Sequence, residues 1–421
     1  MAMTATLIES PTVDANASLS ASSLSASSSP RIRIARVDII RDLAAAEPIW
    51  RALEQPEQLS TPYQRFDLLS AWQRYVGASE ALTPFIVVAS DAESRPLLLL
   101  PLALQRRRGV GIARFLGGKH TTFNMPLWRR DFAQSASSAD IHTLIELLRD
   151  QAGGADVLAL TQQPLRWRGQ PNPMALLPHQ DSVNDCPVLT MPPDAPATSL
   201  VSNSFRRRLK GKERKLQALA GYRYCVAGDQ PDITRLLDAF FKTKPLRMAA
   251  QNLPNVFADP GVADFIRTSC SVALTNGGRA IDIHALECDD EVIALFAGVD
   301  DGHRFSMMFN TYTLSENARY SPGLILMRHI IDHFAARGYG ALDLGIGSDD
   351  YKLLFCKDLE PVFDSYIGLN MRGSIAAGAL ASFARAKRMV KQTPALMQFA
   401  QRLRTALRRS DAPNRAASEA D

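Results

Sequence analysis

The residues best suited to chemistry lie together between Arg319 and Lys352. The first part, Arg319-Tyr-Ser-Pro-Gly-Leu324, leads into an apolar-periodic segment that ends at Gly338. Ser321 is placed to cap a helix, Pro322 suits the first helical position, where no N–H is needed, and Gly338 supplies a left-handed stop. Gly323 leaves the opening turn bare, so a ligand can approach the backbone. Free N–H groups and the positive helix end then make an anion site of the kind that holds phosphate-bearing cofactors. An ordinary capped core helix would carry the same punctuation. The second part, Leu342-Asp-Leu-Gly-Ile-Gly-Ser-Asp-Asp-Tyr-Lys352, sends a strand into a polar, glycine-bearing turn. Asp343, flanked by leucines, must face a polar cleft or be paired, and Asp349, Asp350, Tyr351 and Lys352 crowd the strand's exit.

Other residues carry weaker signals. His284 alternates onto one face with Asp282, which would line a cleft or a solvated sheet face. Asn310 and Tyr312 end the following strand, where they could contact substrate or pack at a loop edge. His329 and His333 share a helix face, but the residues between them are Ile-Ile-Asp and no third ligand is evident, so no metal is expected. The block Phe205-Arg-Arg-Arg-Leu-Lys-Gly-Lys-Glu-Arg-Lys-Leu216 sets seven basic residues against Glu213. It reads as a phosphate- or RNA-binding helix, or as a solvated helix anchored by Phe205, Leu209 and Leu216.

The elements that must position these residues follow from periodicity. At 421 residues with 46% apolar and 22% charged composition, the chain calls for two domains of mixed α and β. No apolar run is long enough to span a bilayer, and the start lacks a signal-peptide pattern. Five scattered cysteines without metal spacing fit a reducing cytoplasm. Residues 1–30, with nine serines and six alanines, read as a disordered arm. A mixed first domain spans 31–190, and the Pro/Asn/Gln-rich stretch from Pro164 to Pro196 marks the boundary. A second domain spans 197–370, containing helices at 204–219, 232–241, 262–274 and 322–337. A basic amphipathic tail spans 371–421, suited to an anionic membrane surface or a protein partner. It holds nine Lys/Arg and no Asp/Glu from Arg372 to Ser410.

The basic helix, the Tyr-Ser-Pro-Gly-Leu helix and the Asp-Leu-Gly-x-Gly-x-x-x-Tyr-Lys segment together resemble the acetyltransferase family associated with cellulose and exopolysaccharide synthesis (CelD type). That family belongs to the GNAT superfamily and is related to Fem-type peptidyltransferases. The resemblance covers about residues 35–370. It implies tandem GNAT-like α/β domains with mixed sheets, the first degenerate, and acyl transfer from acetyl-CoA or another acyl-CoA to a small-molecule or sugar amine or hydroxyl. It places Tyr320, Ser321, Gly323 and Leu324 at the pyrophosphate-facing helix start and Asp343, Tyr351 and Lys352 on the motif at the sheet's exit. The needs of acyl transfer then assign Asp343 as base or amine-positioning carboxylate, Tyr351 or Tyr320 as acid, and Lys352 as an anion or oxyanion contact. His284, Asn310 and Tyr312 are the candidate substrate contacts. The common pyrophosphate loop, Arg/Gln-x-x-Gly-x-Gly/Ala, is reduced here to one glycine. The expected setting is cytoplasmic, peripheral at the inner membrane, with the tail contacting lipid or a synthase complex and no DNA partner. The alternatives are a Fem-like transferase using aminoacyl-tRNA and a catalytically degenerate scaffold.

Overall fold

The computed structural model describes residues 32–193, 195–274, 278–347 and 350–393. The Ser/Ala-rich arm and the tail beyond Thr393 lie outside them. The first half contributes β1 (Arg36–Ile40), α1 (Leu43–Leu53), α2 (Phe66–Trp72), β2 (Thr83–Ser90), β3 (Pro96–Arg107), β4 (Val110–Phe115), β5 (Leu127–Trp128), α3 (Arg130–Ser135), α4 (Ser138–Asp150) and β6 (Val157–Pro164). Short pairs β7 (Arg166–Trp167), β8 (Gln170–Pro171) and β9 (Gln180–Asp181) precede β10 (Cys186–Thr190) and α5 (Asn203–Leu216). The second half continues with β11 (Arg223–Val226), α6 (Gln230–Ala250), α7 (Val262–Ser271), β12 (Asp282–Glu287), β13 (Val292–Asp300), β14 (Arg304–Tyr312) and α8 (Pro322–Ala335). It closes with β15 (Ala341–Asp343), α9 (Asp350–Leu353), β16 (Asp358–Glu360), β17 (Val362–Gly368) and α10 (Met371–Gln392).

Two sheets repeat one strand order. In the first, β1 to β4 are antiparallel neighbours, β4 pairs parallel with β6, and β6 pairs antiparallel with β17. In the second, β11 to β14 are antiparallel neighbours, β14 pairs parallel with β15, and β15 pairs antiparallel with β10. Each half thus lends its partner a closing strand. The Pro-rich stretch read as a boundary carries β10 into the second sheet, while β17, from the end of the second half, completes the first. Both sheets lie in one compact unit.

In each sheet the parallel pair is short and then splays. β14 and β15 share three register pairs, ending at Ser306 and Asp343, although β14 runs on to Tyr312. β4 and β6 also share three. In the first sheet the chain itself fills the gap: the Asn124 N–H donates to Gln162 O on β6, its Nδ2 donates to Thr161 O, and Phe123 is fully buried. The second sheet's gap stays open.

The helices are set by their apolar stripes. α8 buries Ile325, Leu326, Ile330, Ile331 and Phe334 against the second sheet. α5 is anchored by Phe205, Leu209 and Leu216, with its basic residues Arg207, Arg208, Lys210, Arg214 and Lys215 exposed. Its one acid, Glu213, is buried against Arg328 and His329 of α8, and Arg206 pairs with Asp332. α6 runs nine residues beyond the expected end at Phe241, carrying Pro245 inside it. α7 docks on the first half, where a Cβ at Gly261 would collide with the Tyr75 carbonyl oxygen. α10 rests Gly373, Ala377 and Ala384 on the core and leaves Ile375, Phe383 and Met389 exposed. All five cysteines are free, and no helix among the described residues is long and apolar enough to cross a membrane.

Candidate functional site

The open splay of the second sheet leads to two cavities. One, of about 300 Å³, lies at the start of α8 and is lined by Ser321, Gly323, Leu324, Phe296, Tyr312 and Met327. The other, of about 410 Å³, lies between the halves. Its walls are Lys119 to Thr122 from the first half, Lys244 of α6, Phe265 of α7, Met307 to Asn310 of β14, the turn at Gly345, and Lys352. Asn310 and Tyr351 line both cavities, so the two spaces meet at these residues.

The helix start has an unexpected cap. Ser321 sits at φ 59°, left-handed for a non-glycine residue, and its hydroxyl makes no capping bond. It accepts instead from Lys212 Nζ of α5 at 2.7 Å. The basic helix therefore brings an ammonium to the mouth of α8, where it adds to the positive helix end. Pro322 has no N–H there, and the Leu324 and Ile325 N–H groups donate to the Ser321 carbonyl, which leaves the Gly323 N–H for a ligand. Gly323 leaves room there: a Cβ would meet Tyr312 at 3.5 Å, ordinary contact distance. Tyr320 packs against the core cluster and does not line the cavity.

Asp343 is not placed to take a proton from an acceptor. It is 0% exposed, lines neither cavity, and accepts from Arg304 Nε (2.8 Å), the Ser306 hydroxyl and the Gly345 N–H (3.0 Å). Arg304 is also bonded to Glu360 and lies over the rings of Phe123 and Trp167. This buried network pins the turn after β15, whose Gly345 and Ile346 carbonyls accept from Lys352 Nζ. Lys352 reaches the inter-half cavity from beneath that turn.

The remaining site residues divide. Asn310 lines both cavities and Tyr312 lines the one at the α8 start. His284 does not: it is fully buried beneath α8, with Nδ1 bonded to Tyr224 Oη at 2.8 Å, beside a separate cavity at the far end of that helix. Neither a solvated face nor contact with Asn310 is available to it. Burial, then the positive charge that His333 and Arg337 can carry, pushes its pKa down to about 3. Asp282, beside it, is pushed up to about 7 by burial and by Asp300. His329 is committed to Glu213 and to stacking on Tyr224, and among the described residues no group of three acidic, His or Cys side chains is arranged to hold a metal.

One cavity residue escaped the sequence reading, and a second sits in the Phe115-Leu-Gly-Gly-Lys-His120 turn, whose paired glycines suit it to help form the groove between the halves. Lys244 was hidden because Pro245 reads as a helix stop. His120, whose Nδ1 accepts from Trp72 Nε1 at 3.0 Å, is kept neutral by burial and Lys119, with a pKa of about 4. The Gly117-Gly118 turn, at φ 90° and 51°, swings Lys119 and His120 onto the cavity wall.

Residues 203–353 match the acetyltransferase (GNAT) domain family. The splayed strand pair and the cavity at the α8 start fall inside that match. These residues form a GNAT acetyltransferase domain. The first sheet repeats the strand order of the GNAT domain, which makes the chain a tandem of GNAT-like halves. Among solved structures, that of FemX shares 7% identity over 78% of this chain and 97% of its own, with a TM-score of 0.51. The C-terminal domain of a putative lysylphosphatidylglycerol synthetase from Agrobacterium fabrum shares 12% identity over 83% of this chain and 96% of its own, with a TM-score of 0.47. A tandem GNAT protein from the clavulanic acid biosynthesis pathway shares 11% over 80% and 99%, with a TM-score of 0.42. Likeness at these identities is one of fold. No curated protein matches the chain.

Proposed function

We propose that the protein transfers an acyl group from acyl-CoA, bound at the α8 start, to an amine or hydroxyl held between the halves. The observation that carries this reading is the meeting of the two cavities at Asn310 and Tyr351. The donor's phosphates take the Gly323 N–H, the positive end of α8 and Lys212, and its pantetheine arm enters the open splay. Met308 has no register partner on β13, because the ladder slips between Ala297 and Gly298. A backbone bulge of this kind aims N–H groups at a developing oxyanion. Tyr351 stands where a leaving thiolate needs a proton. The acetyl group as cargo and an acceptor from polysaccharide or envelope metabolism extend this reading along the CelD-type resemblance. Peripheral attachment to anionic lipid through α10, which exposes Phe383, Arg385 and Lys387, extends it to the membrane surface.

The test is titration calorimetry with acetyl-CoA and free CoA. Wild type should bind at about micromolar Kd, and Gly323→Ala should bind within about threefold of it. Gly323→Glu, which sets a carboxylate against the phosphates, should lose at least about 100-fold, or ~2.7 kcal/mol. Absence of binding to wild type overturns the acyl-CoA donor. In that event the five exposed cations of α5 favour aminoacyl-tRNA as donor, with binding that weakens steeply with salt.

A further inference from the structure

Resting on the acyl-transfer reading, we infer that the cavity between the halves selects an acceptor bearing a carboxylate or phosphate, with the Lys244 ammonium as its anchor. The lining of this cavity has one sign of charge. Lys119, Lys244 and Lys352 reach it, together with neutral His120, and no carboxylate lines it among the described residues. Two of the three ammonium groups are already served: Lys119 pairs with Asp259, and Lys352 donates to the Gly345 and Ile346 carbonyls.

Lys244 differs. Its Nζ donates to the Asn310 carbonyl at 2.8 Å and lies 5.7 Å from the Phe257 ring centroid. It makes no ion pair among the described residues, and the charge of its own helix that acts on it is another cation, Arg247, stacked on Tyr312. Burial, then Arg247, pushes its pKa down to about 8. A half-buried ammonium without a counter-ion has lost part of its hydration with no opposite charge to replace it. An incoming anion supplies the missing charge. Its Asn310 bond sets that anchor beside the junction of the cavities, so an anion held by Lys244 brings its own molecule's nucleophile to the acyl carbon. His120, accepting at Nδ1, keeps its proton on Nε2 as a neutral donor on the same wall. Phe257, Phe265 and Ile266 offer the apolar surface for the body of such a molecule.

The experiment measures Lys244 acylation by a pulse of acetic anhydride on the full-length protein, read by peptide mass spectrometry across pH. The probes are benzoate, phenyl phosphate and uncharged benzyl alcohol. The free protein should show a midpoint near 8 at Lys244. Benzoate or phenyl phosphate should slow labelling at pH 8 at least about tenfold and raise the midpoint, while benzyl alcohol changes it less than about twofold. Protection by one anion alone identifies the head group, and protection by both leaves the class as stated. Equal protection by benzyl alcohol, or protection by none, overturns the proposal. Calorimetry with the protecting anion adds a second arm: Lys244→Arg should keep binding, and Lys244→Met, which removes an unpaired half-buried charge and is expected to fold, should lose it at least about tenfold. Anion binding retained in Lys244→Met also overturns it. None of these readouts involves acyl-CoA, so failure of the donor assignment is seen separately in the acetyl-CoA titration.

Discussion

Replacing Asp343 should damage the fold before it damages the chemistry. The carboxylate is fully buried, and Arg304, whose side chain is 7% exposed, faces it across a 2.8 Å bond. Removing one partner of a buried pair costs about 3–5 kcal/mol, because the remaining charge is left unpaired in a poor solvent. Glu360 still holds Arg304 on its other side at 2.9 Å, which places Asp343→Ala at the low end, near 3 kcal/mol. The orphaned Ser306 hydroxyl adds about 1 kcal/mol. Asp343→Asn keeps an acceptor for the Gly345 N–H and should cost about 2 kcal/mol. Urea unfolding followed by circular dichroism should show the midpoint falling for both variants with an unchanged slope. Acetyl-CoA affinity of the folded fraction should stay within about threefold, since Asp343 does not line the donor cavity. An Asn variant that unfolds at the wild-type midpoint yet loses turnover by orders of magnitude would refute this reasoning and return Asp343 to the chemistry.

Two further outcomes follow from other parts of the molecule. Lys212→Ala should weaken acetyl-CoA binding about tenfold through loss of a charged contact at the α8 start, measured by calorimetry, with benzoate protection of Lys244 unchanged. Burial and Asp300 raise Asp282 in the folded state to about 7, above its unfolded value near 4. The stability that its proton supplies is present below pH 4 and lost as pH rises through 7. Asp282→Asn should therefore flatten the stability profile between about pH 4 and 7 and raise stability at pH 8 by at least about 1 kcal/mol in urea unfolding.

Much of the second half was legible because its signals are local. Pro322 and Gly338 bracket α8 as read, with Gly338 at φ 75°, and Phe205, Leu209 and Leu216 are the anchors of α5. The sequence places Asn310 and Tyr312 at the end of a strand that closes at Phe309, and β14 runs on through both of them. What could not be read is long-range. β10 and β17 are five and seven residues long and pair with strands more than 150 residues away, so nothing near them in sequence announces their sheet. β4 was hidden by Gly111 and the Arg108-Gly109 turn. The Asp343 environment is set by Arg304 across a parallel ladder, and an aspartate between leucines looks the same whether it faces a cleft or an arginine. Ser321 has the residue type of a cap, but its left-handed backbone turns the hydroxyl toward Lys212.

The reciprocal loan of strands bears on how the chain leaves the ribosome. β6 emerges complete at Pro164, but the strand that covers its outer edge, β17, ends at Gly368, 204 residues later. At roughly 5–20 residues per second, that edge waits on the order of 10–40 s with its backbone N–H and C=O groups unpaired. An open edge of this kind invites pairing with other chains. Until the last strand arrives, the nascent first half is a natural client for chaperones.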